Sequence, residues 1–220
     1  MRLERLASTL KGKQRQLRSS PRRAAVLLPL IGGTLDSSLL SLSLLLTRRS
    51  ENLPSHKGQV AFPGGKSEPG EDFPVGTALR EAEEEVGLKP SDVQVLGLLD
   101  ELPTISADLT VAPVVARIAP NVSIANLTAD ANEVSRIFSI PIASLCDGER
   151  WETRIEEWKG ERYPMYSFKH DGENLWGLSA YATLILLGMI PESTAPRLPG
   201  SWTSFGRPGG LTERPKANGE

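Results

Sequence analysis

Gly64-Gly65-Lys66-Ser67-Glu68-Pro69-Gly70-Glu71, followed by Ala78-Leu79-Arg80-Glu81-Ala82-Glu83-Glu84-Glu85-Val86-Gly87-Leu88, is the stretch that decides how this chain is read. A glycine-rich loop runs into a segment carrying four glutamates within five positions. At the helical period Val75, Leu79, Ala82 and Val86 fall on one apolar stripe, which predicts a helix with that face inward. Glu81, Glu84 and Glu85 cluster on the opposite side, Glu83 points away from them, and Arg80 flanks Glu84. Gly87 is placed to stop the helix, so Glu84 and Glu85 lie in its last turn, where the dipole is already negative. Like charges one turn apart destabilise by roughly a few tenths of a kcal/mol when exposed, and more when partly buried. A divalent cation reverses that sign. Oxygen-only ligands suit Mg²⁺, or Mn²⁺ in its place, with phosphate oxygens and waters completing the shell. A lone run of glutamates is more often a solvated acidic face. The Gly-Gly turn, the leading arginine and the glycine stop shift the balance toward an ion.

Together these residues resemble the Nudix box, G-x5-E-x7-R-E-U-x-E-E-x-G-U with U aliphatic. Gly65, Glu71, Arg80, Glu81, Ala82, Glu84, Glu85, Gly87 and Leu88 match it. The chain departs from the pattern by one extra residue between Glu71 and Arg80, which puts the part played by Glu71 in question, and by alanine at the first U.

A second run is Leu45-Leu46-Thr47-Arg48-Arg49-Ser50, continued by His56 to Gly65. It is similar to the upstream signature of the coenzyme A pyrophosphatase branch of Nudix hydrolases, L-L-T-x-R-[SA]-x3-R-x3-G-x3-F-P-G-G. Leu45, Leu46, Thr47, Arg49, Ser50, Gly58, Phe62, Pro63, Gly64 and Gly65 fit; Pro54 stands where the inner arginine belongs. A basic segment beside an acidic helix is what a diphosphate requires, and Arg48, Arg49, Lys57 and Lys66 are the candidates to neutralise its phosphates. The alternative for each is a solvated surface cation, on a par with the functional reading for Arg48 and Lys57; motif position favours Arg49. His56 reads as a loop-capping residue as readily as a phosphate donor.

At 220 residues with a net charge of −2, the chain is long enough for one domain with a sizeable core, and its charge balance points to neither nucleic acid nor membrane. The single cysteine, Cys146, cannot form an internal disulfide, so a reducing compartment is expected: the cytoplasm first, with mitochondrion or peroxisome as alternatives. Residues 1–23 are basic, with Leu3, Leu6, Leu10 and Leu17 at helical intervals, and read as an amphipathic helix or extension on the flank of the domain; a targeting segment is the alternative. Strands are expected over Ala24–Ile31 and Ser41–Thr47, joined as a hairpin, then over Val93–Leu99 and Leu109–Ile118. Pro29 pushes part of the first strand toward an edge, and Pro113 argues for an edge or a bulge in the last. Trp151–Lys169 reads as a hairpin with aromatic packing. Leu175 opens a buried helix to Met189, in a Trp-Gly-Leu-Ser-Ala context that again resembles the same branch. Residues 191–220 are rich in Pro and Gly and read as a disordered tail.

The resemblance covers residues 24–190. It implies an α/β fold, an α/β/α sandwich around a mixed sheet, and Mg²⁺- or Mn²⁺-dependent hydrolysis of a nucleoside diphosphate linked to another group. Glu81, Glu84 and Glu85 would hold the metal and Arg80 would orient them. Gly64 and Gly65 would let the backbone turn beside the substrate. Glu81 or Glu133, the latter just before a strand at Val134, would take the proton from water; Glu133 could equally be a simple turn residue. The substrate implied first is a small molecule, coenzyme A or an acyl-CoA, split to 3′,5′-ADP and (acyl-)phosphopantetheine. Oxidised nucleotides or other nucleoside diphosphate derivatives come second. A non-catalytic nucleotide-sensing module is the alternative of a different class, against which the full set of glutamates speaks.

Overall fold

The computed structural model describes residues 1–13, 22–104, 109–158 and 161–198. In chain order the first half comprises α1 (Leu3–Gly12), β1 (Arg23–Ile31), β2 (Ser43–Arg49), β3 (Val60–Ala61), β4 (Gly64–Lys66), α2 (Val75–Val86), β5 (Val93–Leu98) and β6 (Leu102–Pro103). There follow β7 (Thr110–Ile118), β8 (Val134–Pro141), α3 (Ile142–Leu145), β9 (Trp151–Trp158), β10 (Glu161–His170), β11 (Glu173–Trp176) and α4 (Gly177–Leu187).

β1 and β7 are almost continuously apolar and buried, the pattern of strands covered on both faces, and they pair in parallel from Arg23↔Thr110 to Leu30↔Arg117. Around them the main sheet runs β3-β2-β1-β7-β5, with β4 added to β1, β6 to β7 and β8 to β2. All these additional pairings are antiparallel, so the sheet is mixed. Successive residues of β1 serve opposite layers. Ala25 and Leu27 meet Ala78, Ala82 and Val86 of α2, while Leu28 and Leu30 share a second core with Leu3, Leu6 and Leu10 of α1 and with Ala180, Tyr181 and Leu184 of α4. The result is the α/β/α sandwich the sequence leads one to expect.

The edge expectation is corrected at both prolines, while the register opposite β7 does shift by one residue at Pro113, from Leu98↔Val114 to Leu102↔Val111. Neither Pro29 nor Pro113 lies at an edge: β1 is the central strand, and β7 beside it is paired on both sides. Each proline sits where the neighbour on one side changes. On the side of β1 where the Leu27 N–H reaches the Pro63 carbonyl, β4 pairs as far as Val26 and β2 begins only at Leu30. Pro29 has the same parity as Leu27, so its missing N–H falls in that gap. On β7, β5 pairs down to Val114 and β6 takes over at Val111, which leaves Pro113 between them with its carbonyl accepting from the Leu99 N–H. A missing donor costs nothing where no acceptor waits.

The expected hairpin after Trp151 is β9–β10, extended by β11 into a separate antiparallel sheet. Its Phe168 packs against Trp151 at 5.2 Å between ring centroids, and Tyr166 meets Tyr181 of α4 edge-on at 5.4 Å. α4 starts at Gly177, not Leu175, because Trp176 still pairs with Ser167 and the positive φ of Gly177 (60°) turns strand into helix. The N-terminal helix is present, with Leu3, Leu6 and Leu10 buried; Leu17 lies outside the described residues. The tail reading needs correction at its start. Ser193 and Ala195 are buried, and Thr194 bonds Cys146 and Gly148. Residues 199–220 lie outside the described part.

Candidate active site

β4 is pressed so close to β1 that a Cβ on Gly64 would stand 2.4 Å from the Ala25 carbonyl oxygen, and its φ of 155° likewise favours glycine. That approach aims the Gly64 N–H at α2, where it donates to Glu85 Oε2 at 3.2 Å. The next residue works by absence. A Cβ on Gly65 would fall 2.3 Å from Glu81 Oε1, so the space it leaves is filled by that carboxylate. Glu81 and Glu85, one turn apart on α2, therefore face two adjacent residues of β4.

The placement of the helix follows from its apolar residues, with one correction to the predicted wheel. Ala78, Ala82 and Val86 are buried, and so is Glu85, its side chain only 4% exposed. Glu85 thus belongs to the inner margin of the helix, Glu84 (59% exposed) points outward, and Glu81 lies between. Glu83 is exposed and apart from the group, as expected. Gly87 ends the helix at φ 69°, with its N–H on the Glu83 carbonyl and the Leu88 N–H on that of Ala82.

Arg80 draws three carboxylates together. Its Nε donates to Glu71 at 2.5 Å, Nη1 to Glu84 at 2.7 Å and Nη2 to Glu81 at 2.9 Å, and Nη2 also reaches the Lys66 carbonyl at 3.2 Å. Glu71 further accepts from the Thr77 hydroxyl (2.6 Å) and the Glu68 N–H (2.8 Å). The extra residue between Glu71 and Arg80 is absorbed in the turn at Asp72–Pro74, where Phe73 N–H bonds Glu71 O and Gly76 N–H bonds Asp72 O. Glu71 is accordingly an anchor for Arg80. The Arg80 bond, then those from Thr77 and Glu68, hold its carboxyl down at about 2, and Arg80 in turn keeps its proton more firmly. The crowding of negative charge is thus relieved for Glu71, Glu81 and Glu84 by an arginine.

Glu85 receives no such help. Burial pushes its carboxyl up to about 8 against the Gly64 N–H and the Arg49 charge, and the charges of Glu81 and Glu133 act in the same direction as burial. Glu81 is raised too, by burial first, with Glu84 and Glu133 adding to it. Glu133, exposed and one residue ahead of β8, is therefore within electrostatic reach of both. Arg49 Nη1 stands 3.7 Å from Glu85, and its buried Nε has no hydrogen-bond partner among the described residues.

The other basic candidates are not gathered here. Arg48 projects to the opposite side of β2, bonded to Glu51 at 2.9 Å and 4.0 Å from Glu173. Lys57 is exposed in the loop before β3, and Lys66 offers its carbonyl to Arg80 while its side chain is exposed. His56 takes a positive φ (55°) and bonds Gln59, a loop arrangement. Sequence reasoning missed Thr77, whose hydroxyl gives no cue inside a helix, and Asp130, which the Asp-Ala-Asn turn ahead of β8 would have marked.

Among the described residues no three acidic, histidine or cysteine side chains converge closely enough to hold an ion by themselves. Glu81 and Glu85 each accept one hydrogen bond, from Arg80 and from the Gly64 N–H, and keep oxygen lone pairs free, the kind of pair that binds Mg²⁺ through one or two protein oxygens with phosphates and waters supplying the rest. The donor chemistry fits. Glu84 would have to leave Arg80 to join them.

Among the described residues no helix is long and apolar enough to cross a membrane. A NUDIX domain family model matches residues 21–163. The uncharacterized Nudix hydrolase NudL of Photorhabdus laumondii is 38% identical over 166 residues, 76% of this chain and 83% of that protein. The NudL of Yersinia pestis is 38% identical over 159 residues, 72% of this chain and 75% of its own length. The crystal structure of a C. elegans Ap4A hydrolase binary complex aligns with 55% of this chain and 80% of its own at 18% identity, with a TM-score of 0.42. The arginine-clamped glutamate helix, the glycine strand beside it and the match over most of the chain lead to one conclusion: the chain belongs to the Nudix hydrolases and is a pyrophosphohydrolase.

Proposed function

We propose that the chain hydrolyses the P–O–P bond of coenzyme A or an acyl-CoA, releasing 3′,5′-ADP and (acyl-)phosphopantetheine. The observation that carries the reading is Arg49: a guanidinium with a buried, unpartnered N–H, 3.7 Å from the buried carboxyl of Glu85, which lies one helical turn from Glu81. A diphosphate would suit both sides at once, its oxygens accepting from Arg49 and its charge matched by a cation that Glu81 and Glu85 would hold. Arg49 also occupies the arginine position of the L-L-T-x-R-S run that resembles the coenzyme A branch.

Glu81 and Glu85, joined by Glu84, would hold Mg²⁺ or Mn²⁺, which when bound screens the diphosphate charge and acts as a Lewis acid. Arg80 fixes the carboxylate of Glu81 through the 2.9 Å bond, and the Gly64 N–H fixes that of Glu85. Water attacks one phosphorus in line, the bridging oxygen leaves with its electron pair, and Glu133 or Glu81 accepts the water's proton. Burial raises Glu81 and so favours its taking up a proton; exposure and position suit Glu133.

One feature favours the second substrate class. Pro54, exposed in the loop before β3, takes the place of the arginine of the resembling signature, so one contact expected to the phosphates or adenine side of a CoA substrate is missing, which favours oxidised nucleotides or other dinucleotides. Mg²⁺-supported hydrolysis of CoA, acyl-CoAs, oxidised dNTPs, ADP-ribose and NADH, compared by kcat/KM, decides. CoA or an acyl-CoA should lead the panel by about ten-fold, a difference of about 1.4 kcal/mol in transition-state binding. Faster turnover of any nucleotide outside the CoA group overturns the assignment.

A further inference from the structure

Glu133 sits on the segment from Thr128 to Ser135, which is fixed at both ends. At the first end the Asp130 N–H donates to the Glu85 carbonyl (3.0 Å) and the Thr128 N–H to that of Val86 (3.1 Å). These are carbonyls that a helix ending at Val86 leaves without donors of its own, so the loop is fastened to the last turn of α2. Asp130 then closes a turn. Its carbonyl accepts from the N–H groups of Glu133 (3.0 Å) and Val134 (2.8 Å), and its Oδ1 accepts from the Asn132 N–H (2.9 Å) and Nδ2 (3.0 Å). A carboxylate in that position stands in for a backbone carbonyl and sets the direction in which the chain leaves the turn.

At the second end β8 carries one residue more than β2. Arg48 faces Arg136 while Arg49 faces Val134, leaving Ser135 over. The Ser135 hydroxyl lies 3.1 and 3.3 Å from the carbonyls of Arg48 and Arg49, and the Ser50 N–H donates to the Glu133 carbonyl at 2.8 Å. Bulges re-aim the side chains beside them. The helix that bears Glu85 and the strand that bears Arg49 are therefore both referenced to Glu133.

We infer that Asp130 is a positioning residue for hydrolysis: by closing the turn on Asn132, its carboxylate holds Glu133 against the Glu81–Glu85 pair. The inference rests on the proposed reading of Glu133 as proton acceptor, and the test separates the two. Values of kcat and KM are measured at saturating Mg²⁺ for the wild type, Asp130→Ala, Asp130→Asn, Glu133→Gln and the double variant Asp130→Ala/Glu133→Gln. Melting temperatures are taken alongside. Asp130→Ala should lower kcat about ten-fold with KM within about two-fold, the effect of a small misplacement of a reacting group. Asp130→Asn, which keeps the Oδ1 acceptor, should stay within about two-fold of wild type. The double variant should be no slower than Glu133→Gln alone, because Asp130 acts only through Glu133. Wild-type kcat for Asp130→Ala, or a double variant slower than Glu133→Gln by the full Asp130→Ala factor, overturns the positioning role. Unchanged kcat for Glu133→Gln overturns the reading of Glu133 itself. If the alanine variant does not fold, Asp130→Ser, whose hydroxyl closes the turn more weakly, takes its place in the same cycle; kcat should then fall about three-fold with no further fall in the Glu133→Gln background, and wild-type kcat overturns the positioning role.

Discussion

Glu85 and Glu83, two residues apart on one helix, differ in nearly everything that matters for chemistry. Glu85 is buried against the Gly64 N–H and Arg49, whereas Glu83 is exposed and faces none of the site. Glu85→Gln keeps an acceptor for Gly64 and removes the charge. Turnover at saturating Mg²⁺ should then fall by at least about 10²–10³-fold, the scale of losing one preorganised electrostatic contact, with the melting temperature held or raised. Glu83→Gln should stay within about two-fold in kcat. Steady-state kinetics on the two variants checks both; near-normal kcat in Glu85→Gln rules out the ligand assignment. Glu71 gives a pH prediction. Its folded pKa of about 2 lies below the ordinary 4.5, so the folded state favours the carboxylate. That stabilisation is fully present above pH 4.5 and is lost as pH falls toward 2. The difference in melting temperature between wild type and Glu71→Gln should therefore shrink across that window, and a constant difference would mean that Arg80 does not hold Glu71. At this scale the sequence revealed which residues matter better than which way they face. Motif spacing picked out the glutamates and Arg80, but a wheel assigns Glu85 to the solvent side because it scores a carboxylate as polar. The glycine strand that takes Glu85 inward is a tertiary feature that helix periodicity does not contain.

The pairing of β4 with α2 turns two glycines into parts of the site. Gly65 has no need of positive φ, so alanine is compatible with its backbone, but the new methyl would occupy the place of the Glu81 carboxylate. A flexible side chain can move aside cheaply, so Gly65→Ala should change stability by less than about 1 kcal/mol while displacing the group that Arg80 holds. Expected is a fall in kcat/KM of at least about ten-fold with an intact urea unfolding transition. Equal activity would mean that Glu81 works from another rotamer, and a collapse of stability would place the importance of Gly65 in folding alone. The glycines were legible as a loop preceding a helix, yet their strand pairing with β1 was not, since three residues without side-chain pattern give no period-2 alternation. Pro29 and Pro113 show the complementary failure. A proline inside an apolar run signals an edge when each strand is assumed to have one partner along its whole length. Here the partner on one side changes at the proline, from β4 to β2 and from β5 to β6, and only the assembled sheet reveals that vacancy.

Across the whole molecule the three-stranded sheet shares the core that holds Leu44, Leu46 and Phe138 of the main one, and the polar link added to that packing is a buried carboxylate. Glu173 of β11, its side chain 6% exposed, accepts from Arg136 of β8 at 2.9 Å and lies 4.0 Å from Arg48 of β2. Those arginines stand directly opposite each other across the two strands, an arrangement that repels unless a negative charge lies between. The sequence placed Arg48 with the phosphate-binding cations because it adjoins Arg49. Strand alternation instead sends the two arginines to opposite faces, one toward Glu85 and one toward Glu173. The fold class and the helix were readable from local pattern, while this division of labour depends on a residue 125 positions downstream of Arg48. Glu173→Gln keeps the shape and removes the charge. Because both arginines are nearly half exposed, water screens part of the loss, and the cost should be about 1–2 kcal/mol, well below that of breaking a fully buried pair. The loosening should be local. Amide hydrogen exchange should accelerate in β9, β10 and β11 while β1 and β7, in the middle of the main sheet, keep wild-type protection. Uniform acceleration across both sheets would show instead that the two unfold as one unit and that Glu173 contributes to global stability without acting as the tie between them.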